Sequence, residues 1–418
     1  MNERTESKTK TVTSVRAGIL PKSALYVLGV FVLICVFVVI LVYVFSPIPQ
    51  QRSAIPQDEP VLLPPQEIAA KVCAYYLMGR IEEALSFSLD WPDKDKLIDA
   101  LKRGREHYEQ LEYKLGPVEI RENETFDEAT RVVVPNLSMK LKNLSTGKII
   151  IVPNQEGGKI ADTILEKRET AEGPRWYIVE PGVQRYDEIE STWSNLPRKK
   201  LADSPIIILK KGIIIQTVSD DKVVSERIVF WDEPVNSAVA QEKHLLLAPH
   251  EITVETVTCT LMDRIEESFS FYADWPAVGK RPDKERAIEV SKKIRQRFRP
   301  LERKLGPVEI RENETFDQAT RVVVPLLSGK EEDLSTGKLK VVQDYVDFIL
   351  EKQETAEGQQ WRIIDSADPR YSEIKSTWLN LPRKKVPGSP TIILRRAIVM
   401  QVVSDDKVIN QRILFWDK

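Results

Sequence analysis

The sequence predicts an α+β protein: one N-terminal transmembrane helix, then two tandem domains, each with N-terminal helices packed on an antiparallel sheet. Three observations carry this reading. Residues 24–45 form an uncharged apolar run, the chain beyond residue 61 repeats itself once, and in each copy helical periodicity gives way to alternating, β-branched strands.

The apolar run ALYVLGVFVLICVFVVILVYVF reaches about 33 Å at about 1.5 Å per residue, enough for a hydrocarbon core of roughly 30 Å. Its exit, Val44-Phe45-Ser46-Pro47, lacks the small-x-small pattern of a cleaved signal peptide, so an uncleaved signal anchor is predicted over 23–45. Arg4, Lys8, Lys10, Arg16 and Lys22 precede the run, whereas Arg52 is the one basic residue between Ser46 and Gln66. That bias predicts a cytoplasmic tail at 1–22, a single-pass chain in the cell membrane, and an extracytoplasmic bulk. Prolines at 47, 49, 56 and 60 predict an extended linker over 46–60.

The remainder is a duplication. Leu111–Pro135 returns as Leu301–Pro325 with two differences in 25 positions. RIEE, DWP, LSTGK, ILEK, TAEG, NLPRKK, VSDDKV and FWD also recur in order. The copies span 61–232 and 245–418, with a linker at 233–244, and this period is far too long for a solenoid repeat. All eight tryptophans pair between copies, which marks them as core anchors. Cys73 lies opposite Val257 and Cys259 opposite Tyr75, so neither belongs to a repeated disulfide; both are predicted to be buried thiols.

Within a copy, IAAKVCAYYLMGRIEEALSFSL has helical spacing. A second helix is predicted through Leu97, Leu101, Gly104, Tyr108, Leu111 and Leu115, which step by four and three, and Gly116-Pro117 stops it. Strands follow in VEIRENETF, ATRVVVPNLSMKLKN, KIIIVPN, DTILEKRET and RWYIVE, then a short helix in YDEIESTW and a last hairpin in GIIIQTVSDDKVVSERIVFWD. Helices first and hairpins afterwards predict helices on one face of a sheet.

This order, with the amphipathic helices, the turn before VEIRENETF and the paired strands ending in Trp176-Tyr177-Ile178 and Trp361-Arg362-Ile363, resembles the nuclear transport factor 2-like (cystatin-like) superfamily. The resemblance covers about 64–180 and 249–365. It implies a cone in each copy, with helices held in the curve of a bent antiparallel sheet. The final hairpin of each copy extends beyond that outline.

Enzymes of that superfamily place His, Asp or Tyr in the cone. Here His107 aligns with Arg297, so no histidine base is shared between copies. The recurring carboxylates Glu119/Glu309, Glu122/Glu312, Asp127/Asp317, Glu166/Glu351 and Glu169/Glu354 read as solvated strand positions. Ser145-Thr146-Gly147-Lys148 has the wrong order for a phosphate loop and reads as a turn, as do Asp220-Asp221 and Asp405-Asp406. No Cys/His cluster has zinc spacing, and no catalytic, cofactor or metal residue is assigned. The one local charge signal is a repeated basic patch, Arg198, Lys199 and Lys200 with Arg383, Lys384 and Lys385, a candidate anion-binding site.

A formal net charge of −2 gives no general attraction to nucleic acid, and none is expected as a partner. The role expected is therefore a membrane-anchored extracytoplasmic binding or scaffold protein with a protein partner in the cell envelope and no cofactor. The alternative is a small-ligand-binding protein or acid–base enzyme using the cone pocket of each repeat.

Overall fold

A computed structural model describes residues 64–89, 93–153, 160–181, 183–193, 196–233, 248–275, 283–343, 346–355, 358–378 and 380–416. The first repeat opens with α1 (Pro64–Met78), α2 (Ile81–Leu85) and α3 (Lys94–His107). Gly79, at φ +81°, turns the chain between α1 and α2 in a conformation that favours a residue without a side chain. Strands β1 (Tyr108–Leu115), β2 (Glu119–Arg121), β3 (Arg131–Val134), β4 (Asn136–Asn143), β5 (Ile149–Pro153), β6 (Thr163–Thr170) and β7 (Gly173–Val179) follow. Helix α4 (Gln184–Trp193), β8 (Arg198–Lys200), β9 (Ile206–Ser219) and β10 (Lys222–Phe230) complete it.

The second repeat repeats this order: α5 (Ala248–Leu261), α6 (Ile265–Phe269), α7 (Lys284–Arg297), then β11 (Phe298–Leu305), β12 (Glu309–Arg311), β13 (Arg321–Val324), β14 (Leu326–Asp333), β15 (Lys338–Val342), β16 (Phe348–Thr355) and β17 (Gly358–Ile364). Helix α8 (Pro369–Thr377), β18 (Arg383–Lys385), β19 (Thr391–Ser404) and β20 (Lys407–Phe415) end it. The β9–β10 and β19–β20 hairpins turn on Asp220-Asp221 and Asp405-Asp406, all four at positive φ, the geometry that matches strand twist in a two-residue turn.

Of the described residues, strand makes up 44% and helix 27%, in three antiparallel sheets. Each repeat has its own five-stranded sheet, β7-β6-β3-β2-β8 and β17-β16-β13-β12-β18. The third sheet has ten strands, in the order β15-β14-β11-β19-β9-β1-β4-β5, with β10 on β9 and β20 on β19. The chain changes sheets at Gly116-Pro117 and again at Pro135, where the Gly116 N–H donates to the Pro135 carbonyl at 2.7 Å.

The two repeats meet at β9 and β19, paired antiparallel from Val218↔Thr391 to Ile206↔Val403. The centre is Gly212 opposite Ala397, which are equivalent positions of the two copies, so a pseudo-twofold axis passes between them. A side chain on Gly212 would crowd Ile228 at 3.2 Å and the Val229 carbonyl at 3.4 Å.

Each core is completed by the other repeat. The first, packed on Ala69, Cys73 and Leu77 of α1, contains Leu301, Ile398, Met400, Val402 and Trp416. The second, packed on α5, contains Leu111, Ile213, Ile215, Val229 and Trp231. Leu111 and Leu301 reach across because a β-bulge interrupts β1 between Gln110 and Glu112 and β11 between Pro300 and Glu302, re-aiming the intervening side chain.

Two expectations are corrected. The α+β class with a transmembrane helix and two tandem cone-like domains gives way to a mostly-sheet architecture, and the repeats share a sheet and exchange core residues. Part of the reason is local: the helix expected through Leu115 ends at His107, and Tyr108–Leu115 is strand, burying Leu111, Tyr113 and Leu115. The membrane, single-pass character also finds no support. Among the described residues no helix is long and apolar enough to cross a bilayer. The longest, at 15 residues, reaches about 22 Å, short of a roughly 30 Å core. The span expected over 23–45 lies outside the described residues.

Ile398 belongs to the second repeat yet is fully buried in the first core. Ile398→Ala is expected to cost about 2–5 kcal/mol and to leave one cooperative denaturant transition. Two separate transitions would overturn the exchange of cores.

Candidate functional site

The first repeat holds a cavity of about 290 Å³ between α1, α3, β1 and the end of β7. Val72, Leu97, Leu101, Met139 and Ile178 supply apolar wall, and Tyr76, Tyr113, Cys73, Asn136 and Glu180 supply the polar groups. Glu180 stands just past β7, 6% exposed, where it accepts a hydrogen bond from the Ser88 hydroxyl. Ser88 is placed by a parallel bridge to Ile178, so the end of α2 and the end of β7 jointly set the carboxyl. Burial raises its pKa, and the Ser88 bond and Lys94 offset this in part. Burial also pushes the Cys73 thiol up to about 12 and raises the phenols of Tyr76 and Tyr113. The thiol and the two phenols are therefore held in their neutral forms. Asn136 is 8% exposed; its amide nitrogen donates to the Ala161 carbonyl at 2.6 Å, and its oxygen has no donor among the described residues.

The second repeat rebuilds the equivalent wall. Thr260 stands for Tyr76, Leu326 for Asn136, Gly329 for Met139 and Asp365 for Glu180. Arg303 replaces Tyr113; it is 6% exposed and ion-paired to Glu331 at 2.5 Å. Tyr272 takes the place of Ser88 beside Ile363.

At the pseudo-twofold axis lies a second cluster. Lys211 and Arg396, equivalent residues, are each 3% exposed. Lys211 pairs with Glu109 and Arg396 with Asp263, both at 2.8 Å. Each cation also lies over both Trp231 and Trp416, at 5.2–5.8 Å from the ring centroids. Burial lowers the pKa of Lys211 to about 8; Glu109 opposes the shift, and Arg105 and Arg299 add to it. Two clefts flank this seam. One, of about 590 Å³, runs between Arg264 and Glu267 of the second repeat and Gly147 of the first, beside Trp231. The other, of about 500 Å³, runs between Arg80 and Glu83 of the first repeat and Gly337 of the second, beside Trp416.

The basic patches lie on β8 and β18, which pair with β2 and β12. Arg198 turns to Glu119 at 3.3 Å and Asp162 at 3.9 Å, and Arg383 to Glu309 at 3.3 Å and Asp347 at 3.9 Å. Lys199, Lys200, Lys384 and Lys385 are exposed. Each patch thus presents two lysines to solvent, while its arginine ties strands together. Glu166, buried to 8%, is held by Arg185 at 2.7 Å, and Glu351 by Arg321 at 2.6 Å, so these recurring carboxylates act as structural ion pairs. Cys73 and Cys259 are buried and unbonded. Among the described residues no group of three or more His, Cys, Asp or Glu could hold a metal ion.

Sequence reasoning passed over Glu180. The available signal was its place straight after the WYIV strand and before Pro181-Gly182, with Asp365 as its equivalent: a carboxylate closing the same strand in both copies.

The seam predicts a pH dependence. Between pH 8 and 10.5 the unfolded chain keeps a proton on Lys211 that the folded chain has released, so this group makes stability rise with pH across that window. Lys211→Met is expected to remove the rise, seen as a flatter denaturant midpoint from pH 8 to 10. An unchanged slope would show that Lys211 does not carry it.

No family model, no curated protein and no solved structure matches this chain.

Proposed function

We propose that the chain is a binding protein in which two fused repeats form a rigid platform and a cavity in the first repeat holds a small, largely apolar ligand. One observation carries this: that cavity of about 290 Å³ has apolar walls and a few convergent polar groups, among them a buried carboxyl. Binding is favoured over catalysis because the Cys73 thiol and the phenols are held neutral and no histidine lines the cavity among the described residues. The replacement of Tyr113 by Arg303 and of Met139 by Gly329 assigns this role to the first repeat.

Naphthalene, a neutral fluorescent probe, is expected to bind at one site per chain. Leu101→Trp, which fills the cavity from α3, is expected to abolish that binding while shifting Tm by no more than about 3 °C. Retained binding in the variant, or none in the parent, overturns the reading.

The paired clefts favour a second reading, a scaffold that docks a protein partner at both. A photo-crosslinker at Thr336, on the rim of the second cleft, is expected to capture in cells a protein that one at exposed Val224 does not. Identical capture from both positions, or none from Thr336, overturns it.

A further inference from the structure

We infer that the ligand of the first repeat's cavity is a small apolar amine, bound as its cation with the ammonium group against Glu180. This rests on the reading of that cavity as a ligand pocket and adds the chemical class of what fills it.

The first observation is charge. Among the described residues lining the cavity there is no Lys, Arg or His, and the two charged types present are both acids, Glu180 and Asp162. Asp162 is already engaged: it accepts from the Asn136 backbone N–H at 3.3 Å and lies 3.9 Å from Arg198. Glu180 is therefore the carboxyl left to meet a ligand. In a site this apolar a carboxylate is costly, and Lys94, outside the lining, offsets that only in part, so a proton or a cation that arrives with the ligand completes the neutralisation.

The second observation is hydrogen-bond balance. The Asn136 side-chain nitrogen is fixed by the Ala161 carbonyl at 2.6 Å and by Thr163 Oγ1 at 3.3 Å, which assigns the other end of the amide as oxygen. That oxygen, on a residue more than nine-tenths buried, has no donor among the described residues. Glu180 when ionised is likewise an acceptor only. The Asn136 oxygen and an ionised Glu180 both select a ligand that brings donors, and an ammonium brings three and no acceptor. An anion would face two carboxyls and, among the described residues, no Lys, Arg or His in the lining. A pure hydrocarbon would leave the Asn136 oxygen unsatisfied.

The third observation is the shape of the wall. Leu97, Leu101, Met139 and Ile178 give the carbon part of the ligand an apolar surface, and Tyr76 and Tyr113 add aromatic faces of the kind that attract organic cations. The second repeat has Arg303 at the position of Tyr113, a buried cation that would repel such a ligand.

The test compares three molecules of one size and three charges on the full chain by calorimetry at neutral pH: phenethylamine, 2-phenylethanol and phenylacetate. Phenethylamine is expected to bind about tenfold or more tighter than 2-phenylethanol, and phenylacetate most weakly, since hydrogen bonds to charged groups are the stronger class. Glu180→Gln is expected to bring the amine down to the level of the alcohol, and an amine preference that survives in this variant overturns the inference. If the alcohol or the acid binds as tightly as the amine, the amine inference is overturned and the pocket stands. If none of the three binds while naphthalene does, the amine inference again falls alone. If naphthalene fails as well, the pocket reading goes with it.

Discussion

The antiparallel pairing of β9 with β19 is the constraint on which the rest of the molecule depends. It joins two five-stranded halves into one ten-stranded sheet and places Gly212 opposite its own equivalent, Ala397. Register matters here more than in an ordinary sheet. A slip of one residue would turn Lys211 and Arg396 away from Glu109, Asp263 and the two tryptophans, and would turn Ile213 and Ile398 out of the cores they complete. A buried cation whose partner exists in one register only is a strong specifier of that register, even where its net contribution to stability is small.

From that pairing the exchange of cores follows. Strand β9 runs from one core to the other, Ile207 and Leu209 packing in the first and Ile213 and Ile215 in the second, and β19 does the reverse. The bulges at Leu111 and Leu301 extend the exchange to the next strands outward. The helices α1 and α5 are thereby held by sheet from both repeats, and the first core takes its shape from a surface that neither repeat makes alone.

Much of this was legible in the sequence. The duplication, most strand positions, the helix over YDEIESTW and the last hairpin of each copy follow from pattern and turn chemistry. The stretch Tyr108–Leu115 was misread because Leu111 and Leu115 are four apart, a spacing that fits one turn of helix and one face of a strand equally well. Tertiary pairing with β4 and β9 decides it as strand. The joint sheet was not legible at all. A β-branched run such as Ile213-Ile214-Ile215 shows that both faces are covered, but not that the covering strand comes from the other copy. Of the site, the basic patches were visible as charge, yet their arginines serve to pair carboxylates. Glu180 was passed over because an acid at a strand end, even one repeated as Asp365, looks like any solvated residue until the helix over it is known.

The sequence that is nearly identical in the two copies, Leu111–Pro135, contains Tyr113 at a point where the other copy has Arg303. In an assembly of two identical chains, one change in the gene alters both halves together, and an arginine placed in one half would enter its twin as well. Covalent fusion removes that coupling. One half can carry a buried ion pair where its counterpart carries a phenol, and the symmetry of the shared sheet survives the loss of symmetry in what it carries.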